Sequence, residues 1–301
     1  MYEILNGTET SIAIKQQIKE EIEENFTSKN KRPPKIVILL IGDNMASKVY
    51  VAGKVKAAAA VGIETSVLKF NYDVTQEEVV QAIKNLNADK KVDGIMVQLP
   101  VPMQINESEI LNLIKPEKDV DGLTYVNLGK VLDKDKDGFV GCTPGGVMEI
   151  LKHYNIDLTG KDVVIVNRSL LVGKPLAALM TNANATVTVC HTKTKDINEK
   201  LRKADVVVTA VGIKDFLKAD MVKEGAIVID VGITRDEVTN KICGDVDFEN
   251  VAPKTSYITP VPGGFSFPPF IPVLDPASSR NRHGRSSVWS FRRRCRCFRR
   301  W

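Results

Sequence analysis

No run of 18 apolar residues occurs anywhere in the chain, and its opening Met1-Tyr2-Glu3-Ile4-Leu5-Asn6-Gly7 has neither a basic stretch nor an apolar core. The first absence argues against a membrane-spanning helix and the second against a secretory leader, so no membrane association and a cytoplasmic location are expected. Cysteines are few: Cys142, Cys190, Cys243, Cys295 and Cys297 are an odd set without metal-like spacing ahead of the tail. That usage suits a reducing compartment, and no metal centre is expected. A Gly-x-Gly-x-x-Gly fingerprint is also missing, so dinucleotide binding has to be argued from other residues. Net positive charge is absent over most of the chain. Residues 1–264 hold 29 Lys and 4 Arg against 36 acids, a net −3, whereas residues 265–301 hold 9 Arg, no Lys and the single acid Asp275, a net +8. The overall charge of +5 therefore belongs to one end, and nucleic acid is not an expected partner of the body.

What is present is alternation. A length of 301 residues suits two domains of roughly 130 residues each. Ser11 to Asn25, with Ile12, Ile14, Ile18 and Ile22 among Lys and Glu, reads as an amphipathic helix. Lys35 to Gly42 is a short apolar run stopped by glycine, as in a strand buried on both faces. Similar runs span Thr65 to Phe70, Gly94 to Val97, Val163 to Val166, Thr186 to Val189, Val206 to Val208 and Ala226 to Ile229. Helical stretches lie between them at Ala46 to Val61, Gln76 to Leu86 and Pro144 to His153. Strands alternating with helices predict parallel sheets and an α/β class. The acidic Asp133 to Gly138 segment marks a break, with a domain boundary near residue 140.

In the second half, Thr143 can cap a helix whose first turn holds Pro144. The strand Val163 to Val166 runs into Asn167-Arg168-Ser169-Leu170-Leu171-Val172-Gly173-Lys174-Pro175 and then an Ala/Leu-rich helix. Strand, turn and helix form the dinucleotide-binding layout, in which N–H groups at the helix start face phosphate. At the end of the next strand stands Cys190-His191-Thr192-Lys193 where an NAD-binding fold places an acid. Arg168, Thr192 and Lys193 suit a 2′-phosphate and favour NADP, the alternative being a solvated basic loop.

In the first half, Tyr50 and Lys54 fall four residues apart on one helix face, as a stacking or hydroxyl group beside a proton carrier, or as a half-buried Tyr beside an exposed Lys. Lys48 and Lys56 read as exposed. Gln98 ends a strand before the stiff Leu99-Pro100-Val101-Pro102 loop and either bonds a substrate, fixes Lys54 or satisfies loop backbone. Lys118-Asp119-Val120-Asp121-Gly122 offers two acids, which either accept ring N–H donors or cap the next helix.

Taken in order, these motifs resemble the methylenetetrahydrofolate dehydrogenase/cyclohydrolase family from about Ile4 to Gly264. The resemblance rests on Tyr50-Val51-x-x-Lys54, Val97-Gln98-Leu99-Pro100, Lys118 to Gly122, Thr143-Pro144-Gly145-Gly146, Arg168-Ser169-x-x-Val172-Gly173-x-Pro175, Asp230-Val231-Gly232-Ile233 and Thr259-Pro260-Val261-Pro262-Gly263-Gly264. It implies an N-terminal α/β catalytic domain of residues 1–140, a C-terminal Rossmann-type NADP-binding domain of residues 141–264, an active cleft between them and a homodimer. By position, Lys54 is the catalytic lysine of the cyclohydrolase step, Gln98 orients it, Tyr50 stacks on folate and Asp121 binds the pterin ring. Ser47, Val97, Leu99, Pro262, Gly263 and Gly264 join Tyr50, Gln98 and Asp121 around the substrate. Asn167, Arg168, Ser169, Thr192 and Ile233 contact NADP, although Asn167 and Thr192 stand where the family commonly has Gly and Ser. The implied chemistry oxidises 5,10-methylenetetrahydrofolate with NADP and hydrolyses the methenyl product to 10-formyltetrahydrofolate, with no metal.

After Gly264 the family pattern stops. Phe265 to Phe270 is followed by an Arg-rich stretch containing both Trp residues, Trp289 and Trp301. Such a Lys-free tail is what a shifted reading frame or a fusion junction produces; a basic, RNA- or membrane-surface-binding appendix is the functional alternative. Loss of the family's C-terminus also raises a second reading, a catalytically impaired folate- or NADP-binding protein. A third, a short-chain dehydrogenase using Tyr50 and Lys54, lacks the Gly-rich turn that should precede the pair.

Overall fold

A computed structural model describes residues 1–135, 137–237 and 239–264. The Arg-rich tail, and with it each expectation about residues 265–301, lies outside the described residues. Two compact units emerge, one of residues 14–142, the other joining Met1–Ala13 to the described residues from Thr143 onward. The first 13 residues thus group with the later part of the chain, because their strand β1 (Glu3–Ile4) pairs with a strand near residue 257.

Helix α1 (Gly7–Asn25) carries the chain from one unit into the other. It starts four residues before the expected Ser11 because the Asn6 side chain accepts from the N–H groups of Thr8 and Glu9 at 3.1 and 3.2 Å, capping the first turn. Ile14, Ile18 and Ile22 are buried along one stripe, while Ile12 faces outward.

In the unit of residues 14–142, β2 (Lys35–Ile41), α2 (Met45–Ala60), β3 (Glu64–Phe70), α3 (Gln76–Ala88) and β4 (Gly94–Gln98) alternate, followed by α4 (Glu107–Leu113) and α5 (Tyr125–Leu132). The strands form a parallel sheet in the order β3-β2-β4. Val37, Leu39, Ile41, Ile95 and Val97 on one face pack with Val79 and Ile83 of α3 and Ile110 and Leu111 of α4. The alternate set Ile36, Ile38, Leu40 and Met96 is buried as well, so the central strand is apolar without a break. Each such side chain stabilises the fold by about 1.5–3 kcal/mol relative to exposure. Strand β3 departs from the expected two-sided burial: it lies at the sheet edge and is only partly covered.

In the other unit, α6 (Cys142–His153) begins one residue before the expected Thr143 cap, leaving Thr143 and Pro144 inside the first turn, where a missing N–H costs nothing. Then come β5 (Asp162–Val166), α7 (Gly173–Asn182), β6 (Thr186–Cys190), α8 (Ile197–Lys203), β7 (Val206–Thr209) and β8 (Ala226–Asp230). A two-strand antiparallel pair, β9 (Thr234–Arg235) and β10 (Ile242–Cys243), precedes α9 (Phe248–Val251) and β11 (Thr255–Ile258). The main sheet is wholly parallel in the order β1-β11-β8-β7-β5-β6. Val163, Ile165, Val206 and Val208 pack with α6 and α7 on one face, while Val164, Val166 and Val207 pack with Leu201 of α8 and Val251 of α9 on the other. Both faces are covered, as in a doubly wound Rossmann-type sheet, and the order reverses between β5 and β7. Ligands of such sheets collect beyond the carboxyl ends of the strands at that switch point. Among the described residues no helix is long and apolar enough to cross a membrane.

Candidate active site and cofactor cradle

The first cluster forms where Lys54 of α2 reaches β4 near its carboxyl end. Asn44 caps α2 by accepting from the Ser47 N–H at 3.0 Å, which buries Ser47 in the first turn and sets the helical phase that puts Tyr50 and Lys54 one turn apart. Tyr50 is 53 % exposed, with its ring free for a flat ligand. Lys54 is partly buried, and its ammonium donates to the Met96 sulfur of β4 at 3.3 Å. A thioether is a weak acceptor, so the charge is held in place without being neutralised. Its neighbours on the helix behave as expected, with Lys48 paired to Asp43 at 2.9 Å and Lys56 exposed.

Gln98 follows Met96 by two residues and so points to the same face of β4. Its Nε2 donates to the Leu99 carbonyl at 2.6 Å, while its Oε1 is buried with no partner among the described residues. A buried acceptor without a donor costs about 1–3 kcal/mol, a cost that a ligand or the lysine ammonium would relieve. Val97 points the opposite way into the core at 2 % exposure, so only its backbone can face a substrate. Leu99 is partly buried at the start of the loop, next to a cis peptide bond to Pro100.

The two acids that the sequence could not tell apart have separate jobs. Asp119 is buried and accepts from the N–H groups of Leu123 and Thr124 and from Asn127 Nδ2 at 3.2, 2.8 and 2.8 Å, so it is the acid that holds the turn before α5, whose cap is Thr124. Asp121 caps no helix among the described residues; the Cys142 thiol donates to it at 3.8 Å. The Ile95 N–H donates to the Lys118 carbonyl at 2.7 Å and Ile95 bridges Asp119 in parallel, so the segment runs alongside β4 and delivers Asp121 to its carboxyl end. Burial pushes the Asp121 carboxyl up to about 6, against the pull of the Lys54 charge; Asp119 adds to the rise and the Cys142 thiol opposes it. Lys54, Met96, Gln98 and Asp121 are therefore one neighbourhood. Lys118 stands apart, anchored by the carbonyls of Leu86 and Asp89.

The second cluster lies at the switch point. Asn167 Nδ2 donates to the Ala210 carbonyl beyond β7 at 2.6 Å, while its Oδ1 accepts from the N–H groups of Ser169 and Gly173 at 2.8 and 3.0 Å. Gly173 is required there, because a Cβ would overlap the Asn167 carbonyl. The helix start does not offer free N–H groups to phosphate as expected. Val172 N–H is used by Ser169 Oγ, Gly173 N–H by Asn167, Lys174 N–H by the Ser169 carbonyl, and Pro175 has none. Side chains and the positive end of the helix must do that work instead. Val166 pairs with Cys190, so Arg168 and Thr192 each stand two residues beyond the ends of neighbouring strands. Both are exposed, and Arg168 has no ion pair among the described residues. Lys193 beside them is exposed, with its N–H held by His191 Nδ1 at 3.1 Å. A guanidinium, a hydroxyl and an ammonium without an intervening acid fit a 2′-phosphate.

Ile233 is 49 % exposed in the loop after β8. Pro262, Gly263 and Gly264 form a turn after β11 in which Gly264 N–H donates to the Pro260 carbonyl at 2.6 Å, Pro262 being exposed and Gly264 buried. Two residues of consequence were not singled out by sequence reading as buried acids. Asp230 ends β8 and accepts from Gly232 and Val246 N–H at 2.9 Å each; burial raises its carboxyl to about 6. Asp245 accepts from Val211 and Ile213 N–H at 2.6 and 2.9 Å and is raised by burial too. Asp230 stands in the Asp230-Val231-Gly232-Ile233 motif and Asp245 in the Gly244-Asp245-Val246-Asp247 run, but nothing in either composition separates a buried carboxylate from a turn acid.

Each cluster falls within a stretch of the chain that matches a known family domain. Residues 5–121 match the tetrahydrofolate dehydrogenase/cyclohydrolase catalytic domain and residues 141–267 the NAD(P)-binding domain of the same family. The bifunctional protein FolD of Aquifex aeolicus is 48% identical over 261 residues, 87% of this chain and 89% of that protein. A crystal structure of the Campylobacter jejuni bifunctional FolD enzyme superposes with a TM-score of 0.85 at 48% identity, over 88% of this chain and 93% of that one. The Trypanosoma brucei methylenetetrahydrofolate dehydrogenase-cyclohydrolase, solved with NADP and an inhibitor, gives a TM-score of 0.82 at 36% identity, over 87% of this chain and 91% of that one.

Proposed function

Since the chain belongs to the tetrahydrofolate dehydrogenase/cyclohydrolase family, we propose a division of labour in which Lys54, Gln98, Tyr50 and Asp121 serve the folate and the β5–β7 switch point serves the cofactor. The enzyme oxidises 5,10-methylenetetrahydrofolate to the 5,10-methenyl form with NADP and hydrolyses that product to 10-formyltetrahydrofolate. Matches to both domains favour this reading over that of an impaired binding protein. When bound, NADP supplies the hydride acceptor.

The observation that carries the folate assignment is the juxtaposition of a weakly held ammonium, an unpartnered buried amide oxygen and a carboxyl poised near 6 at one strand end. Tyr50 offers a ring face against which a planar pterin stacks. Asp121, when ionised, accepts N–H donors of that ring and fixes its orientation. Gln98 Oε1 accepts from the Lys54 ammonium and aims it. In the hydrolytic step, water adds to the cationic methenyl carbon as the bond from that carbon to the ring nitrogen breaks; the Lys54 ammonium gives a proton to the departing nitrogen and recovers one from the added water. Ser47, Val97 and Leu99 support the site through helix phase, backbone and loop, and Pro262, Gly263 and Gly264 provide a close-approach turn for the substrate. At the switch point Arg168 and Thr192 hold the 2′-phosphate, Ser169 and Ile233 line the cofactor, and Asn167 shapes the turn between them. Tetrahydrofolate derivatives are the partners, in a cytoplasmic homodimer.

A Lys54→Met variant tests the assignment. Its near-isosteric apolar chain leaves the fold intact, and cyclohydrolase activity disappears; full retention of hydrolysis removes Lys54 from the mechanism.

A further inference from the structure

Asp245 lies outside every motif quoted for the family resemblance, yet it is fully buried and its carboxylate is devoted to one loop. Its two oxygens accept from Val211 N–H at 2.6 Å and from Ile213 N–H at 2.9 Å. At the same time the Ala210 carbonyl is gripped from the other side by Asn167 at 2.6 Å. The segment Ala210 to Ile213 leaves β7 at the switch point, so it borders the crevice that a dinucleotide occupies. A second carboxylate, Asp230, holds the neighbouring loops through Gly232 and Val246 N–H at 2.9 Å each. The space is tight: a Cβ on Gly232 would overlap the Asp245 carboxylate, and one on Gly244 would overlap that of Asp230. The carboxylates pack directly against the two glycines, so a side chain at either position would push the acid from the loop it holds. Lys214, next along the loop, is ion-paired with Asp236 and adds an outer tie.

We propose that Asp245 is a positioning residue for the dehydrogenase reaction, fixing the Ala210 to Ile213 loop in the shape that receives the nicotinamide cofactor, with Gly232 as the residue that keeps its carboxylate in place. This rests on the reading of the switch point as the NADP site. The hydrolytic step needs no redox cofactor, so the two activities of one protein report separately on the loop and on the fold.

Asp245→Asn replaces one acceptor oxygen with a donor facing a backbone N–H. Losing a charge-assisted hydrogen bond of this kind weakens NADP by about ten-fold or more. The experiment measures the NADP dissociation constant by titration calorimetry, and KM for NADP, KM for folate and cyclohydrolase rate by turnover, in wild type, Asp245→Asn and Gly232→Ala. The expected result is a raised dissociation constant and KM for NADP in both variants, with cyclohydrolase rate and folate KM within about two-fold of wild type. NADP binding unchanged in Asp245→Asn overturns the proposal. Loss of NADP binding and cyclohydrolase activity together in both variants also overturns it, since Asp245 is then a determinant of the fold. A wild-type chain that hydrolyses methenyltetrahydrofolate but does not bind NADP instead defeats the cofactor reading on which the proposal stands.

Discussion

A 2.6 Å hydrogen bond joins the Asn167 side chain to the Ala210 carbonyl across the point where the strand order reverses. The same side chain accepts from Ser169 and Gly173, so one amide ties together the turn before α7 and the loop after β7. Asn167→Ala leaves two backbone N–H groups and one carbonyl to find water. The expected cost is about 2–3 kcal/mol of unfolding free energy, read from urea denaturation, with weaker NADP binding. An unchanged urea midpoint would show that the amide shapes nothing.

Asp121 gives the enzyme a pH dependence with a defined sign. Its folded value of about 6 stands above the ordinary 3.8, so the folded state holds the proton more tightly than the unfolded chain. The resulting stability is present below about pH 4 and lost as pH rises through about 6. Asp121→Asn therefore melts above wild type at pH 8, and the gap closes towards pH 4. In the wild type, KM for the folate rises as pH falls below about 6, because the protonated carboxyl no longer accepts two ring N–H groups. Equal melting curves at every pH would contradict the buried placement of this acid.

Arg168 is an exposed guanidinium, so its removal does not endanger the core. Arg168→Ala raises KM for NADP by about ten- to hundred-fold and leaves KM for NAD nearly unchanged, and the wild-type preference weakens as salt is added. Parallel loss of both cofactors would place Arg168 on a phosphate that they share.

Gly94→Ala probes the link between packing and the folate site. Its Cβ would stand 2.5 Å from Val120 Cγ1 and 3.1 Å from Ile36 Cγ1, so the Val120 side chain, next to Asp121, has to shift. Overpacking of this kind costs about 1–3 kcal/mol. Folate KM is expected to rise with the loss of stability, as followed by thermal melting and initial rates; a shift in melting alone would uncouple Asp121 from β4.

The strongly apolar strands were legible because a run such as Ile36 to Ile41 is buried on both faces and has no competing helical period. Strand β11 was not, since Thr255-Ser256-Tyr257-Ile258 mixes polar and apolar residues, and two-residue β1 is defined only by its partner. The start of α1 shifted because the Asn6 side chain takes the N–H groups of its first turn. At the site, chemistry was readable but allocation was not: Asp119 and Asp121 differ by two positions and look alike until the N–H donors of Leu123 and Thr124 take one of them. Likewise, linear order could not reveal that Ser169 and Asn167 consume the donors at the start of α7, nor that Asp245 reaches back 34 residues to Val211.

The measurement that bears most directly on the whole account is turnover by the purified 301-residue chain of 5,10-methylenetetrahydrofolate with NADP, following methenyltetrahydrofolate by absorbance and 10-formyltetrahydrofolate by chromatography. NADP-dependent appearance of the methenyl product, followed by its conversion to the formyl product, is the expected result. A folded chain that binds NADP and yet forms neither product would contradict it.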